Sequence, residues 1–324
     1  MSNVFHYGGD AAVTYKFESG TYAVASGGAI WLGLVKEFNV EQNEGYTPQR
    51  YVGATGRNIG QFINGAKSYR GKVSFLPQTG RIFQYAFGKN TDASGTTSTH
   101  TVIESGNLPT ITFEDGQDSV TGKHFNTSWL GAMVDKFSLK SQGEEEPIIA
   151  EIDFVAQSGS YTQTAAQTAS GTENTFSPYL NNQALLRISG AGFNNEHLPQ
   201  MISWDWMIEN GLNVKHYSNG SVYIGQPQPG PRSYSFSPVL QMMAGSAGSI
   251  YNNMFRGGSE VCLDLFLFRT SGTDHVQLWM SGCKTLECSQ PSKPEEVLTQ
   301  SLKLQPKSCG VIVKDAIAYH DPIA

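Results

Sequence analysis

Charge is scarce in this chain. Only 15% of its 324 residues are Asp, Glu, Lys or Arg, against about 25% in an average globular protein. Much of the surface must therefore be Ser, Thr, Asn, Gln and Gly. The 22 basic residues form no run and are outnumbered by 28 acidic ones, for a formal charge of −6. Tight nucleic-acid binding needs clustered cations, so this balance argues against it. No apolar run reaches the roughly 18 residues of a membrane-spanning helix, and no membrane insertion is expected. The first ten residues, MSNVFHYGGD, have neither a basic nor an apolar export region, which argues against Sec-type secretion. Cysteine is confined to Cys262, Cys283, Cys288 and Cys309, which is no spread disulfide framework.

Chemistry is equally sparse. There is no G-x-S-x-G elbow and no Walker loop, and the seven histidines (6, 100, 124, 197, 216, 275, 320) form no short-spaced pair. Nucleophilic catalysis and zinc binding both need such groupings. The stretch Ala244-Gly245-Ser246-Ala247-Gly248 lacks the preceding strand of a phosphate loop. Cys283 and Cys288, five apart in a strand-like segment, project to opposite faces and read as buried free thiols. Glu144, Glu145 and Glu146 read as a solvated hairpin turn. Asp205, between Trp204 and Trp206, and Asp264, in an apolar strand, read equally well as perturbed acids or as paired ones. Nothing sets two carboxylates face to face as glycosidase chemistry requires. No catalytic, cofactor or metal residue is expected, and the chain reads as a non-enzyme.

What is present is period two. The 35 glycines and 14 prolines punctuate many short alternating runs. Ile148, Ala150, Ile152 and Phe154 share one strand face; Val261, Leu263, Leu265 and Leu267 share another. Further strands are expected at 31–41, 68–76, 110–114, 133–140, 202–208, 221–224, 232–237, 275–280, 296–305 and 310–314. Two short apolar stripes have helical spacing: Ile82, Phe83, Ala86, Phe87, ended by Gly88, and Ile250, Tyr251, Met254, Phe255, ended by Gly257 and Gly258. A low-charge connector covers 157–176.

The two stripes anchor a faint internal repeat. Ser74-Phe75-Leu76-Pro77 precedes the first stripe, and Ser235-Phe236-Ser237-Pro238 precedes the second. Gly131 and Gly282 each open a strand, and each strand leads to an acidic turn, Glu144–Glu146 or Glu295–Glu296, and another strand. The stretch 88–108 has no counterpart in the second copy.

On these residues the chain resembles the tail tube proteins of long-tailed, siphovirus-like phages and archaeal viruses. The resemblance is carried by Leu32-Gly33-Leu34-Val35, Phe38-x-Val40-Glu41-x-Asn43-Glu44, Gly71-Lys72-Val73-Ser74-Phe75, the run Gly80 to Gly88, the strand from Gly131, and Ile148 to Ala156. Ile208-Glu209-Asn210-Gly211-Leu212 matches the family's strand-to-loop transition in the second half. The resemblance implies a mainly β fold of two tandem β-sandwich or half-barrel domains, each with one short helix, closing into a ring β-barrel. The divisions would be an N-terminal arm at 1–30, a first tube domain at 31–157, a linker at 158–177 and a second tube-like domain at 178–324.

The function it implies is a self-assembling major tail tube subunit, trimeric and pseudo-hexameric, stacking into the conduit for genome ejection. Its partners would be itself, tail completion and baseplate proteins, and the tape measure protein and viral DNA that pass through the lumen. It would be assembled in the host cytoplasm and reside in the virion tail. An acidic or neutral lumen would not grip phosphate, and Glu37, Glu41, Glu151 and Asp153 are the candidate lumen-facing acids. The arm and the loop 88–108 are candidates for contacts between stacked rings. Two alternatives share the pattern: a distal tail or baseplate ring, and a carbohydrate-binding β-sandwich adhesin using Trp204, Trp206, Tyr217 and Tyr223.

Overall fold

The computed structural model describes residues 11–18, 22–49, 59, 61–92, 99–118, 124–141, 143, 146–162, 175–190, 193–197, 199–218, 221–242, 250–269, 274–290, 298–315 and 317. Glu144 and Glu145, the stretch 244–248, the turn Glu295–Glu296 and most of the connector lie outside these residues. The first half contains β1 (Ala11–Glu18), β2 (Ala25–Trp31), β3 (Leu34–Asn43), β4 (Tyr46–Gln49), β5 (Gln61–Asn64), β6 (Ser68–Leu76), helix α1 (Phe83–Phe87), β7 (Gly88–Asn90), β8 (Thr99–Glu104), β9 (Ile111–Asp118), β10 (His124–Ser141), β11 (Ile149–Ala156) and β12 (Ser158–Thr162). The second contains β13 (Ala184–Gly190), β14 (Phe193–His197), β15 (Met201–Glu209), β16 (Ser233–Gln241), a π-helical turn at Ile250–Arg256, β17 (Val261–Phe268), β18 (His275–Ser289), β19 (Thr299–Gln305) and β20 (Ser308–Lys314). No helix among the described residues is long and apolar enough to cross a membrane.

All the strand pairings are antiparallel and make three main sheets. A first small sheet runs β2–β1–β9–β10–β12. A large sheet runs β3–β6–β11–β10–β15–β16–β19–β18. A second small sheet runs β14–β13–β17–β18–β20–β8–β7. The hairpin β4–β5 stands apart. Among the described residues these pairings leave an open, branched network that does not close on itself.

β10 and β18 each belong to two sheets, and a left-handed glycine sits at each crossover. Gly131 has φ +65° and Gly282 has φ +59°, a region that L side chains rarely enter. Each is followed three residues on by a β-bulge, at Val134/Lys136 and at Thr285/Glu287. β3 and β15 carry matching bulges at Val35/Glu37 and Met201/Ser203. Each of these two strands ends two residues before another left-handed glycine, Gly45 or Gly211. The pairing order of β1, β2, β3, β6, β9, β10, β11 and β12 thus recurs in β13, β14, β15, β16, β17, β18, β19 and β20.

This register corrects one detail of the sequence repeat. Ser74 lies opposite Glu37 and Ser235 opposite Met207, which are different levels of the two strands. The corresponding residues are Ser68-Tyr69, opposite Asn43-Gln42, and Ser233-Tyr234, opposite Glu209-Ile208.

The sequence-expected strands at 68–76, 133–140, 202–208 and 310–314 all fall within strands. Residues 221–224 do not: they form an irregular segment held by the Lys67 N–H to the Val222 carbonyl at 2.8 Å and by Lys67 Nζ over the Tyr223 ring at 5.7 Å. Much of what the sequence left as arm and loop is strand. β1 and β2 bring Val13, Tyr15 and Ile30 into the core, and β8 lies beside β20 in the second small sheet. β12 lies in the first part of the expected linker.

One core runs through both halves. α1 is too short to persist alone. Packing holds it: Phe83 meets Phe137 at 5.1 Å and Phe87 stacks on Trp206 at 5.9 Å. Burying one such ring contributes about 1.5–3 kcal/mol. At Gly71 any Cβ would stand 2.1 Å from the Phe154 ring, so only glycine lets that ring cover β6.

Candidate functional site

The large sheet has one apolar face on the core and one charged face toward solvent. Alternation decides which residues go where: in β6, Tyr69, Gly71, Val73 and Phe75 are buried while Arg70 and Lys72 are exposed. Register then aligns the charged residues in rows. One row reads Asn39, Lys72, Asp153, Lys136, Glu209 across β3, β6, β11, β10 and β15. Its charges alternate in sign from strand to strand. The next reads Glu37, Ser74, Glu151, Ser138, Met207. Opposite charges facing each other across strands contribute about 0.2–1 kcal/mol each.

All four candidate acids lie on this face. Glu37 and Glu151 share a row, separated by Ser74. Glu41 and Asp153 line one depression of about 370 Å³, with Asn39, Arg70, Lys72 and Asp135. Three of them have basic neighbours: Arg70 lies opposite Glu41, Lys72 and Lys136 flank Asp153, and two lysines reach Glu151. Lys140 Nζ donates to Glu151 at 2.8 Å, and Lys72 Nζ lies 3.4 Å from the same carboxylate. Partial burial opposes ionisation of Glu151, but the Lys140 hydrogen bond and both lysine charges outweigh it and hold the carboxyl below its ordinary value. Asp205 shifts the other way, raised by burial against the pull of Lys140 and Lys136. The face is mixed in charge: Arg70, Lys72, Lys136 and Lys140 stand against Glu37, Glu41, Glu151, Asp153, Asp205 and Glu209. The cations Arg70, Lys72, Lys136 and Lys140 were missed in the sequence, although period two places them on the same face as the acids.

The other singled-out residues serve packing. Trp204 and Trp206 are buried, so they cannot join the exposed Tyr217 and Tyr223 in a sugar platform. Asp264 accepts from Gln277 Nε2 at 2.9 Å. The four cysteines are free thiols, with Cys283 and Cys309 buried, Cys288 half-buried and Cys262 exposed. Among the described residues no group of His, Cys, Asp and Glu could hold a metal.

The face continues without a break from the first half into the second, through the seam between β10 and β15. Across it Lys136 faces Glu209 and Lys140 faces Asp205. Beneath it Phe137 meets Trp206 at 6.2 Å. Asn210 locks the end of the seam: its Nδ2 donates to the Ala86 carbonyl at 3.1 Å and the Val134 carbonyl at 3.0 Å, and its Oδ1 accepts from Arg232 Nε at 2.8 Å. Among the described residues the large sheet then ends in two unpaired edges, β3 and the distal part of β18.

The site is thus a bifacial sheet with a charged outer surface that spans both halves. The family model for phage tail tube proteins matches residues 8–252, and the chain belongs to that family. No curated protein matches it. It is a virion tail component with a structural role, in a family that is not one of enzymes and whose members assemble with themselves and with other tail components.

Proposed function

We propose that this chain is the major tail tube subunit of a siphovirus-like particle, built from two tandem tube domains, and that three chains close a pseudo-sixfold ring. The domains would be 31–157, with β1, β2 and β12 added to the first, and 178–324. The observation that carries this reading is the β10–β15 seam. β18 repeats β10, and β3 repeats β15, bulge for bulge, so the free edge of β18 in one chain suits β3 of the next as β10 suits β15. Carried over, the register Lys136–Glu209, Phe137–Ile208, Ser138–Met207 becomes Glu287–Asn43, Cys288–Gln42, Ser289–Glu41. Ring closure of this kind hides both edges.

The charged face would then line the lumen, with Glu37, Glu41, Glu151 and Asp153 on it. Its mixed charge, with acids outnumbering Arg70, Lys72, Lys136 and Lys140, supports passage of DNA and of a tape measure protein, because no cation excess is present to bind phosphate through counterion release. The hairpin β4–β5 exposes Tyr46 and Phe62 and would contact a stacked ring. Tail completion and baseplate proteins would meet the tube ends, and assembly would take place in the host cytoplasm. Negative-stain electron microscopy of the concentrated chain tests this. Hollow tubes whose rings hold three chains support it; monomers that form no ring, with or without a tail initiator complex, overturn it.

A further inference from the structure

The two halves differ at one place where their strands correspond. Matching Gly131 to Gly282, and β12 to β20, aligns Phe125 with Val276, Thr127 with Leu278 and Tyr161 with Val311. In the second half all three are fully buried. In the first half Phe125 is 41% and Tyr161 49% exposed, with their rings 4.5 Å apart. They lie on the core-facing side of the first small sheet, continuing the row pattern of buried Trp129. An apolar pair on that side, left open, is a surface from which a cover is missing.

In the second half a chain segment lies at the corresponding end of the sheet. Residues 175–183 run just ahead of β13 and close the end of its sheet, where Phe176 and Tyr179 stack on Arg269 at 4.4 and 5.6 Å. The segment is a wedge bonded to both halves. The Ile148 N–H donates to the Tyr179 carbonyl at 2.9 Å and the Asn181 N–H to the Glu146 carbonyl at 3.2 Å, on the first half. Trp204 Nε1 donates to Asn181 Oδ1 at 2.9 Å, on the second. β13 begins at Ala184 opposite Leu267, and β1 begins at Ala11 opposite Gln117, the corresponding position. The counterpart of this wedge is therefore the ten residues before Ala11, which include Val4, Phe5 and Tyr7.

We infer that residues 1–10 dock on the Phe125–Tyr161 face as the wedge at the seam between two chains, taking the place that 175–183 hold inside one. The inference rests on the ring reading above, because the far side of the wedge would be the second half of a neighbouring copy.

The test places the photo-crosslinker benzoylphenylalanine at Tyr161 and maps its products by mass spectrometry in tubes verified by microscopy. Crosslinks into residues 1–10 are expected. Crosslinks to residues 318–324, to a stacked ring or to nothing overturn the inference while leaving the tube reading intact. A chain that forms no ring overturns the tube reading, and this inference with it. As a second measurement, hydrogen exchange on unsubstituted tubes should show protection at 124–130 that is lost when residues 1–10 are deleted. Protection unchanged by the deletion also overturns the inference.

Discussion

Glu18 Oε1 accepts the Gly131 N–H at 2.7 Å, tying the end of β1 to the crossover of β10. The same buried carboxylate accepts from Thr110 Oγ1 at 2.6 Å, Thr112 Oγ1 at 2.7 Å and the Ala23 N–H at 2.9 Å. One side chain thus satisfies the backbone donor that the bend leaves without a ladder partner. Its charge adds to burial in pushing the Tyr22 phenol above its ordinary range.

The two crossover glycines should therefore respond differently to substitution. A Cβ at Gly131 would stand 2.8 Å from the Tyr22 ring, whereas at Gly282 it would meet the flexible Lys307 side chain. The left-handed backbone alone costs an alanine about 1–2 kcal/mol. In urea unfolding, G282A should lose about that much and G131A clearly more. Equal losses would mean that the Tyr22 contact carries no weight.

At Glu18 itself, E18Q replaces an acceptor-only group with one that places an NH₂ against two of the four donors. Leaving buried donors unmatched costs about 1–3 kcal/mol, so the midpoint of thermal unfolding should fall. An unchanged midpoint would show that the carboxylate is not the element holding the bend.

The Glu151 pair predicts a pH dependence with a definite sign. A carboxyl held below its ordinary value in the fold contributes stability that is present above the unfolded pKa. That contribution fades as pH falls through the lowered folded value. The stability gap between the parent and E151Q should therefore be open at neutral pH and shrink below about pH 4. A gap that widens on acidification contradicts the assignment. Because the pair is partly solvated, added salt should also narrow it.

Thiol titration should separate the cysteines. Burial pushes the Cys283 thiol up to about 12, and Cys309 is also raised by burial. Ellman's reagent at pH 8 should label Cys262 quickly and Cys288 slowly, with Cys283 and Cys309 reacting only on denaturation. Rapid labelling of all four in the native chain would show that the second small sheet opens readily.

The chain-to-chain register is testable with a residue already present. If β18 adds to β3 of a neighbour, Q42C should crosslink to the native Cys288 under a short bismaleimide, giving covalent trimers on a denaturing gel. C288S should abolish them. Tubes that form but yield no such ladder would point to a different closing strand.

Much of the fold was legible because alternation and glycine carry so much of it. Gly131 and Gly282 stood out as strand openers, and both lie where a strand changes sheets. The two apolar stripes are α1 and the π-helical turn. What was not legible is instructive. β1, Ala-Ala-Val-Thr-Tyr-Lys-Phe-Glu, buries both Thr14 and Glu18, so polarity misplaced it in an arm. β8 has no core of its own and becomes a strand only because β20 supplies the other half of its hydrogen bonds, a partner about 200 residues away that no local pattern announces. The charge balance of the site was half legible: the acids were read from two strands, while the lysines that temper them sit on β6 and β10.

The placement of β8 also has a kinetic side. Its outer partner, β20, is made about 200 residues later. At about 5–20 residues per second, a ribosome needs roughly 10–40 s to travel from one to the other. For that time the finished first half carries a two-stranded flap with an unsatisfied edge, and a neighbouring nascent chain offers the same flap. Crowded polysomes are thus the setting in which this protein is most exposed to pairing with the wrong copy, before any tube exists to receive it.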